Sequence, residues 1–268
     1  MFLLTCLDGK GTKDLASALL NMRLPLFLAR SDIRQRYRRS TLGPFWITIS
    51  TGVMIACLGF IFGKIFKSPI SEFLPFLAAG LILWGFISQV ITEATTVFVS
   101  SEAIIKQLPI PYFSHVLRMV ARNFYIFLHN IVIFPLVCLI FKITPNLNLM
   151  FIFPGLLILV FNLLWISLLL GIICTRYRDL TQVVGSFLQI VFYVTPIIWL
   201  PSLLPAKAGI MFLDPNPFYH LLQIVREPLL NHAPSILNWV VSISLGIVGW
   251  LLTIIIFNRY RTRIAYWL

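Results

Sequence analysis

MFIFPGLLILVFNLLWISLLLGIICT, residues 150–175, contains no Asp, Glu, Lys or Arg. A helix crossing a hydrocarbon core of about 30 Å needs roughly 20 mostly apolar residues, so this stretch predicts a membrane span. The same test finds five further uncharged runs: Pro44 to Gly63, Phe73 to Thr92, Asn123 to Phe141, Leu180 to Ala206 and Pro228 to Asn258. Turn signals trim them. Thr144-Pro145-Asn146-Leu147-Asn148 starts the quoted helix near Met150, the four prolines from Pro201 to Pro217 end the fifth, and Asn231-His232-Ala233-Pro234 precedes the sixth. The expected fold is an all-α integral membrane protein with spans at about 43–66, 73–98, 118–141, 150–174, 181–200 and 236–257. Residues 1–42 form an N-terminal segment and residues 258–268 a basic tail.

Composition points the same way. At 59% apolar and 11% charged, the 268 residues lack the polar material to cover a water-soluble domain, since globular chains carry about a quarter charged residues. The formal charge of +12 comes from 21 Lys and Arg against 9 Asp and Glu. In a membrane chain that excess reads as inward-facing loops and contact with anionic lipid, not as nucleic-acid binding. If the N-terminus is cytoplasmic, the inner cations are Lys10, Lys13, Arg23, Arg30, Arg34, Arg36, Arg38, Arg39, Lys106, Arg118, Arg122, Arg176, Arg178, Arg259, Arg261 and Arg263. Only Lys64, Lys67, Lys142, Lys207 and Arg226 fall outside, which places both termini in the cytoplasm. No secretory signal is expected at Met1 to Leu7, because no basic region precedes it. Residues Asp14 to Arg30 predict an interfacial helix with a break at Pro25 and an apolar face of Leu15, Leu19, Met22 and Leu26.

Within the spans, polar residues recur on single faces. Gly85, Gln89, Thr92, Glu93 and Thr96 share one side of the second span, and Gln182, Ser186, Gln189 and Tyr193 one side of the fifth. Such residues avoid lipid, so they either line a pathway or join helices by hydrogen bonds. Trp84, Phe86, Phe192, Tyr193 and Trp199 lie on the same two helices, where rings could stack on sugars. Glu93 is the only carboxylate inside a span, and pairing with an arginine explains it better than proton coupling, which usually needs several such groups. Gly59-x-x-x-Gly63 would allow close helix approach.

Enzyme signatures are missing. The four histidines and four cysteines show no metal-ligand spacing, and there is no G-x-S-x-G. Gly9-Lys10-Gly11-Thr12 lacks the spaced first glycine of a phosphate loop. No cofactor is therefore expected in this chain. An ATPase driving transport would be another polypeptide.

The residues then take on a family pattern. Arg30-Ser31-Asp32-Ile33-Arg34-Gln35-Arg36-Tyr37-Arg38-Arg39-Ser40-Thr41-Leu42-Gly43-Pro44-Phe45-Trp46 resembles the approach to the first span in ABC-2 type permeases that export polysaccharides. Ala79-Gly80-Leu81 to Trp84, Ala103-Ile104-Ile105-Lys106 before a proline pair, Arg176-Tyr177-Arg178-Asp179-Leu180 and Tyr193-Val194-Thr195-Pro196-Ile197 follow in the family's order. Asn216-Pro217-Phe218-Tyr219-His220 through Arg226-Glu227-Pro228-Leu229-Leu230 is similar to the external segment of O-antigen exporters. The resemblance runs from residue 26 to 267. One departure stands out: where the family reads lysine and then Phe-Pro-Arg, this chain has Lys106-Gln107-Leu108-Pro109-Ile110-Pro111-Tyr112.

The resemblance implies a multi-pass protein of the bacterial inner membrane, working as a homodimer with two copies of a cytoplasmic ABC ATPase. That ATPase would bind ATP and Mg. The implied cargo is polysaccharide linked to undecaprenyl diphosphate, with O-antigen favoured over capsule or teichoic acid. Coupling to the ATPase would fall on Glu102, Lys106, Gln107, Leu108 and Pro109, with Arg176, Tyr177, Arg178 and Asp179 beside them. A glycan pathway would use Trp84, Phe86, Gln89, Gln182, Ser186, Gln189 and Tyr193. For Arg34, Arg36, Arg38 and Arg39 two readings stand: a landing site for the lipid diphosphate, or a topology anchor on anionic headgroups. The segment Pro201 to Pro234 is too interrupted to span and too apolar for a free loop, so it predicts short helices dipping back as a periplasmic cap. Asn216, Pro217, Tyr219 and an Arg226–Glu227 pair would hold that cap. A membrane-embedded enzyme would need a carboxylate or histidine cluster that is not apparent. An ion-coupled transporter would need an inverted repeat, and the sequence shows none.

Overall fold

The computed structural model describes residues 9–38, 43, 45–203, 205, 209 and 211–268. Among them the chain is helical throughout, with no strand. In chain order the α-helices are α1 (Lys10–Leu20), α2 (Arg23–Arg36), α3 (Phe45–Ile65), α4 (Ile70–Ala94), α5 (Glu102–Gln107) and α6 (Tyr112–Asn130). They continue with α7 (Ile133–Phe141), α8 (Ile152–Arg176), α9 (Leu180–Val194), α10 (Pro217–Leu229), α11 (Ile236–Tyr260) and α12 (Ile264–Trp267). Among the described residues, five stretches are long and apolar enough to cross a membrane: Phe45–Ile65, Ile70–Ala94, Tyr112–Phe141, Leu147–Arg176 and Ile236–Trp267.

The expected fifth span, 181–200, is shorter as a helix. α9 stops at Val194, and Thr195 turns to extended backbone at φ −81°, ψ 134°. The cause is local, because the ring of Pro196 disfavours helical backbone at the residue before it. Fifteen helical residues cover only about 22 Å, so the following non-helical stretch carries the chain onward.

α4 is the axis of the bundle. It packs against α3, α6, α7, α8, α9 and α10, and most of its side chains from Phe73 to Ala94 are buried. α3 is peripheral, touching α4 through Gly59, where an added Cβ would lie 3.0 Å from Leu74, and Gly63, beside Phe73. The remaining faces of α3, α8 and α11 carry exposed Phe, Leu, Ile and Val, as lipid contact requires.

α8 and α11 form an intimate pair, because small residues let membrane helices approach closely. Gly246 and Gly249 lie under Phe161 and Trp165, and the Asn162 amide donates to the Ser242 carbonyl at 3.1 Å. Gly155 of α8 meets α10 still more closely: a Cβ there would sit 2.5 Å from the backbone oxygen of Ile224. Backbone cannot rotate away as a side chain can. Gly155→Val is expected to cost about 3 kcal/mol, at the top of the overpacking range, and to lower the thermal unfolding midpoint of the detergent-purified protein. An unchanged midpoint would refute this packing.

At the N-terminal end the helix breaks at Asn21–Met22 and not at Pro25. Asn21 folds back on the Ser17 carbonyl through both its backbone N–H and its side-chain amide. Pro25 sits in the first turn of α2, where a missing N–H costs nothing. Of the anticipated apolar face, Leu15 is buried while Leu19, Met22 and Leu26 are exposed. α1 packs on α6 and α11, and α12 on α5 and α8, so the N-terminal helices and the C-terminal segment meet at one end of the bundle.

Candidate functional site

That shared end is organised around α5. Lys106 Nζ lies 2.6 Å from Glu102 one turn earlier, and this hydrogen-bonded ammonium holds the Glu102 carboxyl below its usual range, with Arg178 adding to the effect. Arg178 belongs to the α8–α9 turn, so the structure brings Glu102 and Lys106 together with the 176–179 loop. Arg176 stacks over Tyr177 and over Trp267 of α12, at 5.0 and 5.5 Å. Gln107, Leu108 and Pro109 are exposed beside them.

Asp14, absent from the sequence-based candidates, is what fastens this end. Its side chain is fully buried, accepting from the backbone N–H groups of Tyr112 and Phe113 at 3.1 Å each and from Arg261 Nε at 2.9 Å. The N-cap of α6 is Pro111, whose side chain cannot cap a helix. The carboxylate that satisfies its free N–H groups therefore arrives from 98 residues away. Gly9 and Gly11 make the approach possible, since a Cβ on either would lie 2.2 or 2.6 Å from the Asn258 side chain. The Thr12 N–H donates to Asn258 Oδ1 at 3.0 Å. Gly9-Lys10-Gly11-Thr12 is thus a docking motif for the end of α11. No spacing in the sequence signals it.

One layer deeper, Glu93 accepts hydrogen bonds from Arg122 (2.6 Å), Asn123 (2.7 Å) and Gln89 (2.8 Å). Arg122 also reaches Asp32 at 3.2 Å, and Arg118 grips Asp32 with two bonds of 2.8 and 2.5 Å. The pairing expected for Glu93 is present, and Asp32 extends it so that α2, α4 and α6 share one charge network. Of the four arginines singled out, Arg34, Arg36 and Arg38 are exposed. Arg36 borders a cleft of about 210 Å³ containing Gln89, Asn123 and Asn130, and Arg39 lies outside the described residues.

The two polar stripes are open to the outside of the protomer. Along the buried stretch of α4, Gly85, Gln89 and Thr92 are exposed, as is Thr96 just beyond its end, and Gln182, Ser186, Gln189 and Tyr193 are exposed on α9. Of the two stripes, Thr92 and Gln189 line a shallow cleft of about 330 Å³, where Ser88 and Thr92 face Gly185 and Gln189, while Gly85 and Gln89 border the separate cleft beside Arg36. Trp84 and Phe192, with centroids 6.0 Å apart, close one end of the first. Phe86 does not join them. It points the other way, against Phe124 and Phe127 at 5.9 and 5.1 Å, because residues two apart on a helix lie on different faces. Gln89 is also partly diverted, its amide being spent on Glu93.

At the opposite end Asn216 caps α10, accepting from the N–H of Phe218 and Tyr219 while donating to Thr195 Oγ1 at 2.8 Å. Pro217 occupies the first helical position, where proline is favoured. His220 is buried between Asn238 Oδ1 and the Asp214 carbonyl. The expected Arg226–Glu227 pair does not form, since adjacent helical residues do not face each other. Arg226 is instead fully buried, donating to Gln223 Oε1 at 2.9 Å and to the Pro196 carbonyl at 2.5 Å, with its plane 4.2 Å from the Phe76 ring. Glu227 turns toward Asn238. Arg226 so satisfies a carbonyl that the end of α9 leaves without a helical partner.

Residues 26–230 match the family model described as ABC-2 type transporter. Two relatives, both O-antigen export system permease proteins RfbA of Klebsiella pneumoniae, are 26% and 25% identical over 249 residues. Each alignment covers 90% of this chain and 93% of the relative.

Proposed function

Because this chain belongs to the ABC-2 type transporter family, we propose that it is the membrane subunit of an ATP-driven exporter of lipid-linked O-antigen polysaccharide. It works as a homodimer in the bacterial inner membrane, with ATP and magnesium bound by two copies of a separate ATPase. The relatives' names support the choice of cargo. The end carrying α1, α5 and α12 is cytoplasmic under the positive-inside rule, since Lys10, Lys13, Lys106, Arg261 and Arg263 of the inner set lie on or beside those elements. Six spans result when α9 is continued by the non-helical residues 195–200. Irregular backbone at membrane depth must be enclosed by protein, and Thr195, Pro196 and Ile197 are buried. α10, packed against α4, α8 and α11, is then the re-entrant cap.

The observation that carries this reading is the cleft where Ser88 and Thr92 of α4 face Gln189 of α9. Polar groups open at membrane depth on both helices need water, cargo or a second copy to satisfy them, and a facing copy would turn two shallow clefts into one conduit. Replacing Ser88, Thr92 and Gln189 together by leucine is expected to reduce polysaccharide at the cell surface at least about tenfold, the factor for roughly 1.4 kcal/mol of barrier. Membrane insertion and retention of the ATPase should be unchanged. Undiminished surface polysaccharide would place the route elsewhere.

A further inference from the structure

On the side of α9 away from its polar stripe lies a crevice of a different kind. It measures about 250 Å³ and is walled by Val184, Phe187 and Leu188 of α9, Trp165 of α8, Phe218 of α10 and Leu245 of α11. The three α9 residues share a face by helical period. The surface of the crevice is wholly apolar, because the one polar atom on these six side chains, the indole N–H of Trp165, is spent on Asn162 at 3.1 Å. Trp165 stands at the middle of α8 and Leu245 close to the middle of α11, so the crevice lies at the depth of the hydrocarbon core. Phe187 keeps 51% of its surface exposed, and the crevice is open past it. α9 itself is thinly held: only Leu188 and Val191 are buried along it, and its main packing partners are α4 and α8. Its seating against α10 and α11 therefore depends on what fills the space between them.

We propose that this crevice is a lipid site, holding one acyl chain of a bilayer phospholipid as a wedge between α9 and the pair formed by α8 and α11. Water finds no hydrogen-bond partner there, and apolar cavities of about 150 Å³ stay dry while taking up hydrocarbon guests. A vacant crevice would forfeit dispersion contacts along every wall. A chain whose headgroup stays at the interface crosses one leaflet, half of a core about 30 Å thick. It ends near mid-bilayer, where Trp165 and Leu245 stand. A lipid that carries cargo would leave the crevice empty between export events, whereas phospholipid is present throughout. The site is independent of what the protein exports.

The test uses the tagged full-length chain purified in mild detergent, with bound lipid read by native mass spectrometry. Wild type is expected to carry a single phospholipid per protomer that survives detergent washing, and stripping it with a harsher detergent should lower the thermal unfolding midpoint. Val184→Phe and Leu245→Phe fill the crevice from two different walls. Each should lose the lipid, and its midpoint should no longer respond to stripping. Val183→Phe puts the same ring on an exposed position of α9 and should keep the lipid. If packing already closed the crevice, both filling variants would drop in midpoint as overpacked cores do, and the proposal would fall. A polyprenyl chain found in place of the phospholipid would overturn it, as would a lipid retained equally by all three variants. So would a wild type free of lipid whose Val184→Cys variant cross-links to a second copy, which would give the crevice to the neighbouring protomer.

Discussion

Asp14→Ala is expected to destabilise the detergent-purified protein by about 3 kcal/mol. The substitution strips the acceptor from two N–H groups at the start of α6, one of them buried with Phe113. An unsatisfied buried donor costs about 1–3 kcal/mol, and loss of a helix cap typically about 1 kcal/mol. Arg261 loses its partner as well, but its side chain is 30% exposed and can hydrate, so its contribution is small. Asp14→Asn keeps an oxygen for the amides and gives up the charge, and should cost about half as much. Thermal unfolding midpoints rank the three proteins. Hydrogen exchange adds a local readout, with the Tyr112 and Phe113 amides losing protection in the alanine variant before the rest of α6. Unaltered protection of those two amides would show that the carboxylate does not cap the helix.

How far the sequence reveals this architecture depends on the range of the interaction. Uncharged runs are a local property, and they locate the bundle because the bilayer filters on length and polarity alone. The stripes on α4 and α9 are legible from helical period, and the same period also tells that Phe86 cannot share a face with Trp84. The end of α9 was within reach too, since Thr195-Pro196 forbids a helix that absence of charge seems to allow. Arg226 and Glu227 mislead for the opposite reason: neighbours in sequence diverge on a helix, and the real partner of Arg226 is a carbonyl 30 residues earlier. Asp14 is beyond such reasoning, because its partners lie 98, 99 and 247 residues away. Only the packed fold brings them together.

Arg122→Ala should be the costliest single change in the charge network, at about 3 kcal/mol. Removing one partner of a buried pair strands the other, a loss of about 3–5 kcal/mol. The lower end applies because Arg122 and Glu93 keep 26% and 21% of their side-chain surface open. The stranded group is Glu93, held otherwise only by Asn123 and Gln89, while Asp32 retains Arg118. Neutralising Glu93 should then relieve the damage. Glu93→Gln alone is expected to cost about 1 kcal/mol, and the double variant clearly less than the sum of the two, leaving a coupling of about 2 kcal/mol within the range for contacting residues. This cycle also separates pairing from proton transfer. If Glu93 serves to hold Arg122, the double variant recovers folded yield and exports polysaccharide with the pH profile of wild type. Restored yield with export abolished at every pH would instead make the carboxylate part of the transport step, and additive losses would show that the two groups act independently despite their 2.6 Å contact.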